Sequence, residues 1–168
     1  KNVREYEKAR LAGDKSKAEE YFAVLDKAGI KADSENLMQH TGIGSVLYAK
    51  RPGDGSAREY AASCQKVLGG FANICIEYAT KRYRSNCVNW GILPFTCADY
   101  KIQLEPDEYI YLPKIRQQIE AGITDIEAIV SSKDGSTRKL ALKLPDVTEG
   151  EKEILLAGSL INYYKENR

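Results

Sequence analysis

Two short apolar stretches on either side of a helical stretch constrain the fold of this chain more than any other feature. Residues 43–49 (IGSVLYA) and 71–79 (FANICIEYA) carry a single charge between them and contain several β-branched or aromatic side chains. Such continuous apolar strands are typical of sheets that are covered on both faces. A helical pattern from Ser56 stops at the glycine pair 69–70. The order strand, helix, strand predicts an α/β domain, and we expect both strands at the centre of its sheet.

The second half of the chain predicts a β-hairpin. Residues 125–132 (DIEAIVSS) and 137–144 (TRKLALKL) alternate between apolar and polar side chains, which is typical of strands with one buried face. Between them, residues 134–135 are Asp-Gly, a dipeptide that favours a tight hairpin turn. Residues 108–112 (EYIYL) predict a further strand. Together with the first two strands, these elements predict a mixed sheet flanked by helices.

Two more helices are predicted on the C-terminal side of the one that starts near Ser56. Residues 81–90 form a short amphipathic stretch. Thr148 and Glu151 have the spacing of a capping box, in which the threonine oxygen accepts from a backbone amide and the glutamate reaches back. They predict the start of a closing helix, and we expect its buried face to carry Ile154, Leu155, Leu160, Ile161 and Tyr164.

The first 40 residues are expected to form a separate unit. Residues 1–30 are highly charged and follow a helical pattern, and residues 31–42 are polar and loop-like. We therefore predict a helical N-terminal extension or linker at 1–40, which contributes little to the core, and a main domain at 41–168. The chain begins with Lys1 rather than Met, so we expect it to be a piece of a longer protein.

Composition and charge argue against two classes of partner. The formal net charge of the 168 residues is +1, which gives no electrostatic case for nucleic acid or for an anionic membrane. The basic stretch at residues 81–85 (KRYRS) is interpreted as the solvated face of a helix. No apolar run approaches the roughly 20 residues that a membrane-spanning helix needs. We expect neither a membrane nor a nucleic acid as a partner.

The four cysteines do not have the spacing of a metal site. They are far apart, with no C-x-x-C pair and no histidine nearby: Cys64, Cys75, Cys87 and Cys97. We interpret them as small buried hydrophobic residues of a reduced, cytoplasmic protein. No metal ligand is predicted in this chain.

The glycine-rich stretch PGDGSAREYAA at residues 52–62 is the strongest candidate for chemistry. Ser56 and Glu59 have S-x-x-E spacing, so one interpretation is a capping box at the start of a helix. The other interpretation uses the same geometry. A helix N-terminus that follows a strand attracts anions, and the Arg58 guanidinium can hold a carboxylate through two hydrogen bonds. The stretch lacks the fingerprints of nucleotide-binding loops. The residues alone leave both interpretations open, and the two are compatible.

Together with three later segments, this stretch resembles the aconitase superfamily. GDGSAREYAA is similar to the motif G-x-G-S-S-R-E-H-A, which in that family marks a small, mobile swivel domain. The later segments follow in the family's order: VLGGFANICIEYA, RYRSNCVNWGILPFTCADY and EKEILLAGSLINYYKE. The resemblance spans about residues 43–168. It implies that 41–168 form a swivelling β/β/α domain of the aconitase type, similar to the small subunit of isopropylmalate isomerase.

The resemblance implies a role in a hydro-lyase that dehydrates and rehydrates a hydroxy di- or tricarboxylic acid. The family's base matches Ser56, which would remove a proton from the carbon next to a carboxylate. Arg58 matches an arginine that binds a substrate carboxylate, and Gly55 and Ala57 are neighbouring substrate-binding positions. A 4Fe-4S cluster is expected to act as Lewis acid in the full-length enzyme, bound by domains absent from this chain. The implied partners are those cluster-bearing domains, in the same or a partner chain, and a small carboxylic acid substrate.

Two positions depart from the family motif. Ala57 stands where the family has a second serine that bonds substrate, and Tyr60 stands where it has a histidine. Because the loss of a polar contact built for substrate changes specificity strongly, the substrate need not be citrate or isocitrate. A non-catalytic aconitase-like domain with a regulatory or assembly role is therefore the alternative. We expect the isolated chain to be inactive, since half of the active site would be missing.

Overall fold

A six-stranded mixed sheet organises the computed structural model, which describes residues 3–30, 39–99 and 101–167. In chain order the strands are β1 (Ser45–Ala49), β2 (Gly70–Cys75), β3 (Leu93–Thr96), β4 (Tyr109–Tyr111), β5 (Asp125–Ser131) and β6 (Thr137–Lys143). Across the sheet their order is β1-β2-β3-β6-β5-β4. β1, β2 and β3 are parallel, whereas β6, β5 and β4 continue the sheet through antiparallel pairs. The predicted α/β fold with a mixed sheet is confirmed.

Helices connect the strands and pack on one another. In chain order they are α1 (Val3–Leu11), α2 (Lys15–Lys27), α3 (Arg58–Val67), α4 (Lys81–Asn89), α5 (Ile115–Glu120), α6 (Glu149–Ala157) and α7 (Leu160–Glu166). α3 and α4 cross over between the parallel strands and contact each other, and α4 also contacts α6. The short helix predicted at residues 81–90 is confirmed as α4. Among the described helices, none has the length and apolar character that crossing a membrane requires.

The structure confirms only one of the two predicted central strands. β2 lies between β1 and β3, and five of its six residues are buried. β1 lies at the edge of the sheet, where Val46 is 39% exposed, so the prediction that residues 43–49 form a central strand is wrong. An apolar sequence indicates that side chains pack on the faces of a sheet. It does not indicate whether another strand pairs along the outer edge.

β3 is an interior strand that the sequence patterns did not predict. It contains Pro94, which has no backbone N–H and is uncommon inside a sheet. Pro94 is nevertheless fully buried and lies opposite Asn73 of β2. β3 pairs with β6 through Thr96 and Lys143, beyond the proline, so the ladder on that side does not depend on the missing N–H.

The predicted hairpin is confirmed as β5 and β6. The two strands pair in register from Asp125 opposite Lys143 to Ser131 opposite Thr137. A backbone hydrogen bond of 3.0 Å from the Ser132 amide to the Ser136 carbonyl closes the loop between them. The alternation of the sequence is reproduced by the burial, since the even-numbered residues of β5 are buried and its first odd-numbered residues are exposed.

The capping box of the closing helix is confirmed, but the helix is shorter than predicted. The Glu151 amide donates to Thr148 Oγ1 at 3.2 Å, and the Thr148 amide donates to Glu151 Oε2 at 3.0 Å. Gly158 then adopts a left-handed φ of 83°, which ends α6 before α7 begins. Leu155 on α6 is buried as predicted, whereas Ile161 and Tyr164 on α7 are each 58% exposed, so the prediction that these two face inward is wrong.

The N-terminal helical pair, α1 and α2, is attached to the beginning of the sheet. Phe22 and Leu25 of α2 are buried against Ile43, which lies two residues before β1. The Ile43 amide donates to Glu7 Oε2 at 2.8 Å, and the Arg10 guanidinium donates two further bonds of 2.8 Å to the Glu7 carboxylate. The pair is therefore held by both apolar and polar contacts.

The main core lies elsewhere, between the sheet and the C-terminal helices. Within the described part of the chain, its buried residues come from β2 and β3, from the hairpin, from positions just beyond these strands and from α5, and none comes from α1 or α2. The boundary predicted between 1–40 and 41–168 stays a prediction. Residues 31–38 of the predicted polar loop lie outside the described residues.

The contact between α2 and Ile43 yields a test of how firmly the helical pair is attached. We expect Phe22→Ala to lower the free energy of unfolding by about 3 kcal/mol, because it leaves a cavity beside Leu25 and Ile43. The measurement is chemical denaturation followed by circular dichroism. Leu11→Ala is the control, since Leu11 is 71% exposed and its truncation should change stability by less than about 0.5 kcal/mol. Equal effects of the two substitutions would contradict the attachment.

Candidate functional site

The three parallel strands end level with one another at one edge of the sheet. Ala49, the last residue of β1, lies opposite Cys75 of β2, and Cys75 lies opposite Thr96 of β3. The loops that follow β1 and β2 therefore leave the sheet side by side. Ligands of open α/β sheets bind beyond this carboxyl edge. Residues 50–57, which we call the candidate loop, are therefore well placed for a site.

Backbone hydrogen bonds join the loop after β1 to the loop after β2. The amides of Ile76 and Glu77 donate to the Lys50 carbonyl at 3.1 and 3.2 Å, and the Ala79 amide donates to the Pro52 carbonyl at 3.0 Å. These bonds continue the pairing of the strands past their ends. The first part of the loop is therefore fixed, although it follows the outermost strand of the sheet.

Gly53 is the point at which the loop turns, and its position admits no side chain. Its φ of 92° is in the left-handed region, and a Cβ there would lie 2.5 Å from the Cβ and Cγ of Tyr83. The Gly53 carbonyl accepts two side-chain hydrogen bonds, from Thr80 Oγ1 at 3.3 Å and from Arg58 Nε at 3.1 Å. Gly53 thus links the candidate loop to both α3 and α4.

Ser56 does not cap α3. The helix begins at Arg58, and its N-cap residue is Ala57, which has no side chain that could accept from the first turn. Glu59, the other half of the predicted capping box, accepts a hydrogen bond of 2.6 Å from Trp90 Nε1. The capping-box interpretation of residues 56–59 is therefore wrong. Ser56 lies in the bend before the helix with an exposed side chain, and its hydroxyl is not used by the helix.

Arg58 is anchored through one nitrogen only. Its half-buried side chain folds back so that Nε donates to the Gly53 carbonyl. Within the described part of the chain, neither terminal nitrogen of the guanidinium has a hydrogen-bond partner. A carboxylate is held best by two parallel N–H donors of one planar group. The anchored Nε leaves such a pair available.

The remaining predicted site residues are exposed around Ser56 and Arg58. Gly55 and Ala57 are exposed, and a Cβ on Gly55 would meet no atom within 4 Å. Tyr60, which stands where the family motif has histidine, is 73% exposed on the first turn of α3. The structure therefore brings all the predicted positions together in one loop and one helical turn.

A buried polar cluster lies beneath Gly53, on the side away from solvent. Asn73 of β2 donates through Nδ2 to the Tyr83 hydroxyl at 3.2 Å and to Cys87 Sγ at 3.3 Å, and Gln65 of α3 donates to Asn73 Oδ1. Burial raises the pKa of Tyr83 and that of Cys87 to about 12 each. The cluster is therefore uncharged at neutral pH, which suits a structural support rather than a nucleophile.

Sequence patterns missed this cluster. The stretch KRYRS was interpreted as a solvated face, yet Tyr83 within it is only 3% exposed. Thr80, which directly precedes this helix, is a common N-cap residue and indicates where the helix starts, but it does not indicate which face of the helix is buried. No local sequence pattern predicts the contact of Tyr83 with Gly53, because the two residues are 30 positions apart.

The described residues do not form a ligand set for a metal or an iron–sulfur cluster. Among them, no three His, Cys, Asp or Glu side chains come together as a site. Cys75, Cys87 and Cys97 are buried as predicted, whereas Cys64 is exposed and that prediction is wrong for it. Burial raises the pKa of Cys75 to about 11, which disfavours the thiolate that a metal needs.

Comparison with known proteins gives relatives that include aconitate hydratases and a homoaconitase small subunit. Aconitate hydratase A of Rickettsia felis is 31% identical over 127 residues, which are 73% of this chain and 14% of that protein. Aconitate hydratase A of Rickettsia bellii is 28% identical over 131 residues, 75% of this chain and 15% of that protein. The homoaconitase small subunit of Thermus thermophilus is 32% identical over 122 residues, 73% of this chain and 64% of that protein. The chain therefore spans a small part of the two hydratases.

A family profile matches as well. The profile described as "Aconitase C-terminal domain" covers residues 8–100, more than half of the chain, and this range holds the candidate loop, the buried cluster and strands β1 to β3. The mixed sheet, the loop at its carboxyl edge and the similar sequences agree: this chain belongs to the family of the aconitase C-terminal domain.

Proposed function

We propose that this chain supplies a base and a carboxylate-binding arginine to a hydro-lyase that dehydrates and rehydrates a hydroxy di- or tricarboxylic acid. Ser56 is the base and Arg58 binds a substrate carboxylate. The observation that carries the proposal is the arrangement of Arg58, whose Nε is held by the Gly53 carbonyl while its terminal nitrogens are free of partners in the described chain. A guanidinium held in this way is pre-organised for a bidentate bond to a carboxylate.

The exposure of Ser56 supports its role as base. A capping serine would have its oxygen engaged by a backbone amide, whereas the hydroxyl of Ser56 is not engaged by α3. Ser56 acts as base in its alkoxide form, after its own proton has passed to solvent and while N–H donors of the closed site stabilise the charge. The alkoxide oxygen takes the proton from the carbon next to the carboxylate that Arg58 holds, and the electron pair left on that carbon forms the double bond as the substrate hydroxyl leaves. Holding that carboxylate fixes the distance between the oxygen and the proton, which lowers the barrier.

The rest of the active site comes from outside this chain in our proposal. The exposed loop at 54–57 cannot exclude water by itself, and the described residues hold no ligand set for a 4Fe-4S cluster. We therefore propose that the chain works beside cluster-bearing domains, either in a longer chain or in a partner subunit. The Thermus thermophilus relative is named a small subunit. By itself this chain is then inactive.

Replacing the serine tests the role of base. In the complete enzyme, we expect Ser56→Ala to lower kcat about 100-fold or more and to change KM little, because a general base acts in the transition state. The assay follows the ultraviolet absorbance of the double bond during hydration of cis-aconitate and of its homologue one carbon longer. The free energy of unfolding should not change, since no cap is lost. Ser63→Ala is the control on the same helix. Unchanged turnover in Ser56→Ala would favour the non-catalytic alternative.

Replacing the arginine tests carboxylate binding. We expect Arg58→Lys to raise KM about 10-fold or more in the same assay, because an ammonium cannot bond to Gly53 and present two parallel donors at once. Arg82→Lys is the matched control, since Arg82 is exposed on α4 and should leave KM unchanged. A normal KM in Arg58→Lys would remove the arginine from the proposed site.

Alanine substitutions at the two glycines of the loop test its effect on stability and its effect on substrate binding separately. A Cβ at Gly53 would collide with Tyr83 and strain a left-handed residue, so Gly53→Ala should lower the free energy of unfolding by about 2 kcal/mol or more. Gly55→Ala should leave stability within about 0.5 kcal/mol, yet raise KM about 10-fold, if substrate approaches the backbone there. Denaturation and steady-state kinetics are measured on both. A normal KM in a stable Gly55→Ala enzyme would exclude Gly55 from the binding surface.

A further inference from the structure

The hydroxyl of Thr80 joins the two loops of the candidate site. Thr80 is the N-cap of α4, and its Oγ1 accepts a hydrogen bond from the Tyr83 amide at 3.3 Å. The same Oγ1 donates to the Gly53 carbonyl at 3.3 Å. A hydroxyl has one proton and two lone pairs, so it can form both bonds at once. One side chain therefore caps a helix and restrains the candidate loop.

The Gly53 carbonyl that Thr80 restrains is also the anchor of Arg58. Arg58 Nε donates to that carbonyl at 3.1 Å, and the oxygen has a lone pair for each donor. Because Nε lies in the guanidinium plane, this bond fixes the orientation of the plane. Thr80 has no bond to Arg58 in the structure and acts on it through Gly53.

Buried contacts keep the carbonyl in place from below. The Tyr83 ring packs against Gly53, and its hydroxyl accepts from Asn73 Nδ2 at 3.2 Å. Gln65 donates to Asn73 Oδ1. Since Gln65 and Arg58 both belong to α3, these contacts form a closed ring that returns to the helix carrying the arginine. A closed ring of contacts resists displacement of any one member.

We infer that Thr80 is a positioning residue for the substrate carboxylate: its hydroxyl holds the Gly53 carbonyl, which holds the Arg58 guanidinium. The inference rests on the proposed role of Arg58. Without the hydroxyl, the arginine side chain has to become ordered when substrate binds, and ordering one flexible side chain weakens binding about 3- to 10-fold. The loss falls on KM and not on kcat, because the proton transfer at Ser56 is untouched.

The experiment compares two threonines that cap helices. In the complete enzyme, with cis-aconitate and its one-carbon-longer homologue as probes, we expect Thr80→Val to raise KM about 3- to 10-fold and to leave kcat within about twofold. Thr80→Ser keeps the hydroxyl and should restore KM. Thr148→Val is the matched control, because Thr148 also caps a helix through its hydroxyl but makes no bond to the loop. It should lower the unfolding midpoint as Thr80→Val does, with KM unchanged.

A double-mutant cycle identifies the route of the effect. In an Arg58→Lys enzyme no Nε remains for Gly53 to hold, so adding Thr80→Val should not raise KM further. Fully additive effects on KM would overturn the inference, and so would equal KM values in Thr80→Val and Thr148→Val. Should Thr80→Val fail to fold, Thr80→Ala serves in the same comparison.

The outcomes also separate this inference from the proposed function. If Arg58→Lys raises KM and Thr80→Val does not, the positioning role of Thr80 is overturned and the role of Arg58 stands. If Arg58→Lys leaves KM unchanged, both are overturned. A KM effect in Thr80→Val that Thr80→Ser reverses and that vanishes in the Arg58→Lys background supports both.

Discussion

The level parallel pairing of β1 with β2 is the constraint on which the candidate site depends. Because Ala49 and Cys75 end their strands opposite each other, the following loops run together and bond through their backbones at Lys50 and Pro52. The chain then turns at Gly53, which can lie against the Tyr83 ring because it has no side chain. That turn leads to Ser56 and then to α3, which begins at Arg58. A strand at the edge of the sheet thus carries a well-fixed loop, because its neighbour's loop supports it.

The first turn of α3 departs from ordinary helix design. Alanine is a poor N-cap, and a serine in its place would stabilise the helix by about 1 kcal/mol. Here Ala57 is the N-cap and a serine lies one position earlier, outside the helix. Such local departures from good design are expected where a side chain has another use. The role proposed for Ser56 agrees with its position outside the helix.

Sequence reasoning predicted the elements whose signals are local. The hairpin follows from alternation and an Asp-Gly pair, and the capping box at Thr148 and Glu151 follows from spacing, so both could be read without tertiary information. The interior strand β3 was missed because Pro94 argues locally against a strand, and only the arrangement of its neighbours makes the proline acceptable. The position of β1 at the edge was missed because a sequence does not state its pairing partners.

The candidate site likewise has residues that a local motif identified and supporting residues that no local pattern identified. Ser56, Arg58, Gly55 and Ala57 were identified from a motif, and their roles stay predictions. The support beneath them could not be predicted, because Asn73, Thr80 and Gln65 act through contacts between separate elements. Spacing also gave a wrong result at Ser56 and Glu59, where S-x-x-E predicted a capping box. The Glu59 carboxylate instead accepts a hydrogen bond from Trp90, a residue 31 positions away, where a capping box would have it accept from a backbone amide.

The loop therefore has a fixed half and an exposed half, and the proposed chemistry requires both. Residues 50–53 are held by backbone bonds and by the Tyr83 ring, whereas 54–57 carry exposed or open positions. A serine hydroxyl in contact with water keeps its proton and is a weak base. Its alkoxide is an effective base when N–H donors hold it in a site that another surface closes to water. If the docking of another domain provides that cover, the covered residues have to meet the substrate without rearranging, because reordering at that moment would weaken binding. The fixed half meets this requirement by orienting Arg58 before the site is closed. The held residues 50–53 therefore orient the arginine, and the exposed residues 54–57 are the ones that another domain would cover.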